Sequence, residues 1–299
     1  MWIYLAFLSA LCLGVYEVCK KASLNRNAVI PVLFLNTVFG SLIFLPFVLI
    51  SGFSPGKLQN TLFYTPLISW AEHGLIFLKS LIVLSSWIFN YFATKHLPLT
   101  LSGPVKATQP VVVLMGALLI FGERLNLYQW AGVLMSILSF YLLSHSGKKE
   151  GINFSHNKWI IYLVFSVITG AASGLYDKFL MKSLDAMAVQ SWFNFYQLFV
   201  MLPILLILWY PGRKKTTAFH WSWHIPLISL FLALGDFLYF HALSDSDSMI
   251  SIVSMIRRSN VVVIFIAGAW IYKEKNLKSK VIDLILVLIG MFFLYLGSK

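Results

Sequence analysis

Runs of about 20 apolar residues follow one another along almost the whole chain, and this pattern restricts the fold more than any other feature of the sequence. Coiled as an α-helix, each run rises about 1.5 Å per residue and crosses roughly 30 Å of hydrocarbon. Ten such spans are expected, near 2–20, 29–51, 73–95, 100–121, 128–146, 158–182, 188–210, 225–244, 249–272 and 278–297. Charged residues make up only 11% of the chain, against about 25% in soluble domains. The expected class is an all-α integral membrane protein. The longest connections, such as SGFSPGKLQNTLFYTPLISW and GKKEGINFSHNK, are too short for a soluble domain, so function is expected inside the bilayer.

The opening MWIYLAFLSALCLG has no basic leader segment and no small-residue cleavage pattern, and it reads as the first spanning helix. Cys12 and Cys19 lie seven residues apart on that helix, about 10 Å by rise, too far for a disulfide. A net charge of +12 in so apolar a chain points to basic loops beside anionic lipid headgroups, not to nucleic acid. Lys20, Lys21, Arg26, Lys148, Lys149, Lys158, Arg213, Lys214, Lys215, Lys273, Lys275, Lys278 and Lys280 all fall after odd-numbered spans. The positive-inside rule puts those loops in the cytoplasm and both termini outside.

An internal duplication organises the chain. Gly14-Val15-Tyr16-Glu17 matches Gly174-Leu175-Tyr176-Asp177 at a shift of 160. Gly122-Glu123-Arg124 matches Lys273-Glu274-Lys275 at a shift of 151, which also sets Lys106 on Arg257, Thr108 on Ser259 and Gln109 on Asn260. Two five-helix repeats are therefore expected, residues 1–146 and 158–299, joined by a linker over 147–157. Because five is odd, the second repeat enters from the opposite side, and an inverted repeat places its binding site near the midplane.

With FGERLN and IYKEKNL ending the fourth helix of each repeat, the chain resembles the drug/metabolite transporter superfamily, specifically its EamA-type permeases, over essentially its full length. The second copy departs from the glycine/acid signature, with Lys273 where glycine is usual. The resemblance implies a central cavity between the repeats, movement of a small organic solute by alternating access, and a bacterial cytoplasmic membrane. It also implies cytoplasmic termini, opposite to the loop charges, so orientation stays open. The plastid sugar-phosphate translocators of the same superfamily are similar in using basic residues in the fourth and ninth helices, where Lys106, Arg257 and Arg258 stand here.

Those three cations lie inside apolar helices, where an unpaired charge is costly. Two accounts stay open for them: structural ion pairs with Glu17, Asp177 or Asp236, or recognition of an anionic solute, with Arg257 as a planar fork. The third span carries a polar stripe of Glu72, Lys79, Ser86 and Asn90, and the seventh carries Gln190, Asn194 and Gln197. Such stripes glue helices together or, joined by Trp87, Trp192 and Tyr196, form a mixed pocket. The candidate solute-binding set is Lys79, Trp87, Asn90, Lys106, Tyr176, Asn194, Gln197, Tyr239, Arg257 and Arg258. Asp236 and Glu17 are the candidate proton-coupling carboxylates, with a local pairing to Lys20 or Lys21 as the plainer role for Glu17. Glu123 and Glu274 are expected to cap neighbouring helix N-termini.

No phosphate-binding loop, nucleophile elbow or metal-ligand spacing is present, so neither an enzyme nor ATP-driven transport by this chain is expected. The expectation is a secondary transporter with no cofactor and no metal, whose partners are a small, anionic organic solute and membrane lipids. A monomer or weak homodimer is expected. A flippase for lipid-linked phosphate and an exporter of neutral or cationic amphipathic metabolites are the alternatives.

Overall fold

The computed structural model describes residues 2–121, 126–148, 151–152, 154, 156–214, 216–245 and 250–297. They form α1 (Trp2–Leu24), α2 (Val29–Phe53), α3 (Trp70–His96), α4 (Leu99–Ala107), α5 (Gln109–Phe121) and α6 (Leu127–Lys148) in the first half. The second half holds α7 (Lys158–Leu180), α8 (Ala186–Ile204, extended by a π-turn over Leu205–Trp209), α9 (His224–Ser244), α10 (Ile250–Arg258), α11 (Asn260–Trp270) and α12 (Leu277–Gly297). Among the described residues, eight helices are long and apolar enough to cross a membrane. Their outer faces present bare Leu, Ile and Phe, and Trp70, Trp223 and Trp270 stand exposed near helix ends, where indole rings favour the bilayer interface.

The apolar runs and the helices agree to within a few residues, and local chemistry sets the ends. Ser69 and Glu72 form a reciprocal capping box at the start of α3, while Asn157 and Asp185 cap α7 and α8. Two of the expected spans, 100–121 and 249–272, are each divided into two short helices. The division falls at Thr108 in one and Ser259 in the other, the residues that the internal duplication superposes. The hydroxyl of Thr108 donates to the Val105 carbonyl at 2.7 Å, and that of Ser259 to the Ile256 carbonyl at 2.6 Å. Both backbone N–H groups make the same i to i−3 bond, at 3.2 and 3.0 Å. A hydroxyl competing for a helix carbonyl tightens and bends the turn. Pro110 adds a missing N–H in the first half, but Val261 stands at the matching place, so the hydroxyl is the shared cause.

The largest interfaces join the halves. Helix α1 packs on α9 as α7 packs on α3; α2 packs on α9 as α8 packs on α3; α2 meets α8, α4 meets α11 and α6 meets α12. The two halves thus interlock as equivalents about a central axis. Serine hydroxyls donating to carbonyls stitch six of these seams: Ser9 to Gly235, Ser41 to Asn194, Ser80 to Phe193, Ser86 to Ser166, Ser139 to Asp283 and Ser229 to Asn36, at 2.6–3.3 Å. Each such bond contributes on the order of 0.6 kcal/mol, and small residues let the backbones approach. At the α6–α12 seam the backbones approach closely: a Cβ on Gly132 would lie 2.8 Å from the Gly290 carbonyl oxygen.

Candidate functional site

The interlocked halves enclose a cavity of about 800 Å³, within the size range of small-molecule sites. Both divided helices bring their last turn before the division to its wall, with Lys106 from α4 and Arg257 and Arg258 from α10. Helix α1 contributes Glu17, α3 contributes Lys79, Trp87 and Asn90, and α9 contributes Asp236 and Tyr239. Three of the named candidates lie elsewhere. Asn194 donates to the Gln190 carbonyl in the seam with α2, Tyr176 donates to the Leu75 carbonyl, and Gln197 is fully buried away from the cavity. A polar stripe reveals which residues share a helix face but not what that face meets, and the stripe of α8 faces a helix seam.

Hydrocarbon makes an unpaired charge expensive, and the interior answers with ion pairs. Glu17 is bracketed: one carboxylate oxygen accepts from Lys20 at 2.7 Å and the other from Lys106 at 2.8 Å. Asp177 pairs with Lys79, whose ammonium lies 5.1 and 4.9 Å from the ring centres of Phe193 and Phe240. Asp236 pairs with Arg257, whose guanidinium lies 3.9 Å from the centre of the Tyr239 ring. Arg258 differs from all of these. Among the described residues no carboxylate oxygen lies within 4.0 Å of it, while the Nε atoms of Arg257 and Arg258 are alike in being buried without a hydrogen-bond partner.

Several cavity residues escaped the sequence reading. Gln109 and Asn260, the pair superposed by the duplication, both line the wall, as do Ser166, Ser173, Gly170 and Gly174 on α7. Lys178 in the last turn of α7 and Lys182 just beyond its end, both exposed, line the mouth. The duplication already aligned Gln109 with Asn260, and that alignment was the available signal.

At the other end of α1 the structure is sealed by polar contacts. Lys21 donates to the carbonyls of Thr94 and Leu97, each at 2.7 Å, satisfying the C-terminus of α3. Glu274 accepts from the backbone N–H of Leu99 at 2.6 Å, from that of Thr100 at 2.8 Å and from the Thr100 hydroxyl, so it caps α4 from the opposite half. Fully buried Lys280 donates to the same hydroxyl at 2.8 Å. Glu123, the counterpart of Glu274, lies outside the described residues. Lys273 adopts φ +48°, the left-handed region that glycine enters freely, which accounts physically for glycine being usual there.

A two-repeat helical membrane protein with a polar cavity at its divided helices is the class that fold and site define. The family model of the EamA-like transporter family matches the chain twice, over residues 1–145 and 157–296, and the chain belongs to that family. Twenty-eight chains of solved structures match it. One, described only as "Crystal structure of protein", has a TM-score of 0.66 at 12% identity, covering 99% of this chain and 97% of its own, which shows a shared fold. No curated protein matches the chain. Membership makes this an integral membrane transporter of small solutes.

Proposed function

We propose that the protein is a secondary transporter that moves a small organic solute bearing an anionic group, by alternating access about the central cavity. In this reading each divided helix crosses the bilayer once, giving ten crossings in two inverted five-helix repeats. The observation that carries the reading is the convergence of Lys79, Lys106, Arg257 and Arg258 inside one cavity, with Lys178 and Lys182 at its mouth, against three carboxylates among its described lining residues, Glu17, Asp177 and Asp236. Arg258 has the open guanidinium and is the anchor for the anion. Gln109, Asn260 and Asn90 supply neutral hydrogen-bonding groups, and Trp87 and Tyr239 supply apolar faces. The sealed end at Glu274 and the mouth at Lys178 are the two sides that open in turn. The setting proposed is a bacterial cytoplasmic membrane.

A second reading follows from the ion pairs. Because Lys79, Lys106 and Arg257 each have a carboxylate partner, the cavity also suits a neutral or zwitterionic amphipathic solute. Thermal denaturation of the detergent-purified protein with phosphorylated, carboxylated, neutral and cationic compounds separates the two. A ligand at 100 times its dissociation constant adds about 2.7 kcal/mol of stability. Stabilisation confined to anions supports the first reading; stabilisation confined to neutral or cationic compounds overturns it in favour of the second.

A further inference from the structure

Two adjacent arginines enter the cavity from α10 with different surroundings. Arg257 is held by Asp236 at its edge and by the Tyr239 ring beneath it, so its charge is already matched. Arg258 has no carboxylate within 4.0 Å among the described residues, and it lines the same cavity as Arg257, Tyr239, Glu17 and Asp236. An anion at Arg258 therefore sits near two carboxylates. One negative charge is matched by the guanidinium, whereas a second meets Asp236 and Glu17, and the adjacent cation, Arg257, is already held by Asp236.

We propose that Asp236 determines the charge class of the solute: by occupying Arg257 it leaves Arg258 as a single open guanidinium, so the site takes a singly charged head group and rejects a doubly charged one. This rests on the anionic-solute reading above. Removing the charge of Asp236 frees Arg257 beside Arg258 and withdraws one repelling carboxylate, and two adjacent guanidinium groups suit a dianion. Lys79 keeps Asp177, and Lys106 and Lys20 keep their shared partner Glu17 in that variant, so the change is confined to α9 and α10.

The test uses two matched probe pairs, butyrate against succinate and dimethyl phosphate against methyl phosphate. Each is titrated by thermal shift into wild-type, Asp236→Asn and Arg258→Gln protein at a pH where methyl phosphate is doubly charged. The expected result is a monoanion preference in the wild type, a shift of the dianion-to-monoanion affinity ratio by about tenfold or more in Asp236→Asn, and loss of both in Arg258→Gln. Arg258→Gln breaks no ion pair among the described residues, so it reports even if Asp236→Asn does not fold. An unchanged ratio in folded Asp236→Asn, or retained monoanion binding in Arg258→Gln, overturns the proposal while leaving the transporter reading in place. Silence from all four probes on all three proteins overturns the anionic reading itself.

Discussion

The divided helix of the first half and that of the second are built alike and charged differently. Both turn at a hydroxyl residue bonded to the carbonyl three residues back, and both deliver a cation to the cavity just before the turn. If side chains followed the duplication as the backbone does, Arg257 would pair with Asp177 as Lys106 pairs with Glu17. Instead Arg257 takes Asp236 and Asp177 takes Lys79. The backbone device for dividing a helix has stayed symmetric, while the ion pairs have been rearranged into an asymmetric site. The cavity wall carries both a bracketed carboxylate, Glu17, and an arginine, Arg258, with no carboxylate partner among the described residues.

The largest effect that would sharpen this contrast is expected at Glu17. Glu17→Gln leaves Lys20, fully buried, and Lys106 without a carboxylate, whereas Asp177→Asn strands only Lys79. Breaking one buried pair costs about 3–5 kcal/mol, so Glu17→Gln should lower the thermal midpoint in detergent clearly more than Asp177→Asn. Equal losses would show that the bracketing of Glu17 has no energetic consequence. At the backbone level the two halves should respond alike. Thr108→Val and Ser259→Val each remove one back-bonding hydroxyl, and solute flux should fall by a similar factor in both; a large effect in one alone would break the claimed equivalence.

Smaller effects are expected at the sealed end. Glu274→Gln keeps its shape but loses the charge facing the N-terminus of α4, which should cost about 1 kcal/mol, seen as a lower thermal midpoint. Smallest of all, Lys273→Gly relieves a left-handed backbone in a side chain that disfavours it, and should raise stability by up to about 1 kcal/mol. A loss of stability there would show that the Lys273 side chain holds the loop.

Much of the architecture was legible from the apolar runs, because a helix in lipid must carry its apolar surface over a fixed length. The divisions at Thr108 and Ser259 were not legible, since one hydroxyl bends one turn without interrupting the apolar pattern. The duplication had nonetheless paired those two residues, along with Gln109 and Asn260. Lys106, Arg257 and Arg258 were recognisable because a cation has no cheap place in hydrocarbon. Glu17, Asp177 and Asp236 stood out as their candidate partners for the same reason, but not which acid takes which cation: Asp177 takes Lys79, 98 residues away, and only packing brings those two together. Tyr176, Asn194 and Gln197 share polar character with the cavity residues, yet the faces that bear them turn into helix seams.

The central claim is that the solute passes through the cavity between the two halves, and a plug tests it most directly. Gly174 lines the cavity, and a Cβ placed there would meet no atom within 4 Å, so a side chain can start from this position towards the open cavity. Solute flux should be measured in proteoliposomes containing wild-type or Gly174→Trp protein, using a compound that stabilises the wild type. The account predicts that the variant folds with an unchanged thermal midpoint and that flux falls to the level of protein-free vesicles. Flux equal to that of the wild type would place the route elsewhere in the molecule and contradict the account.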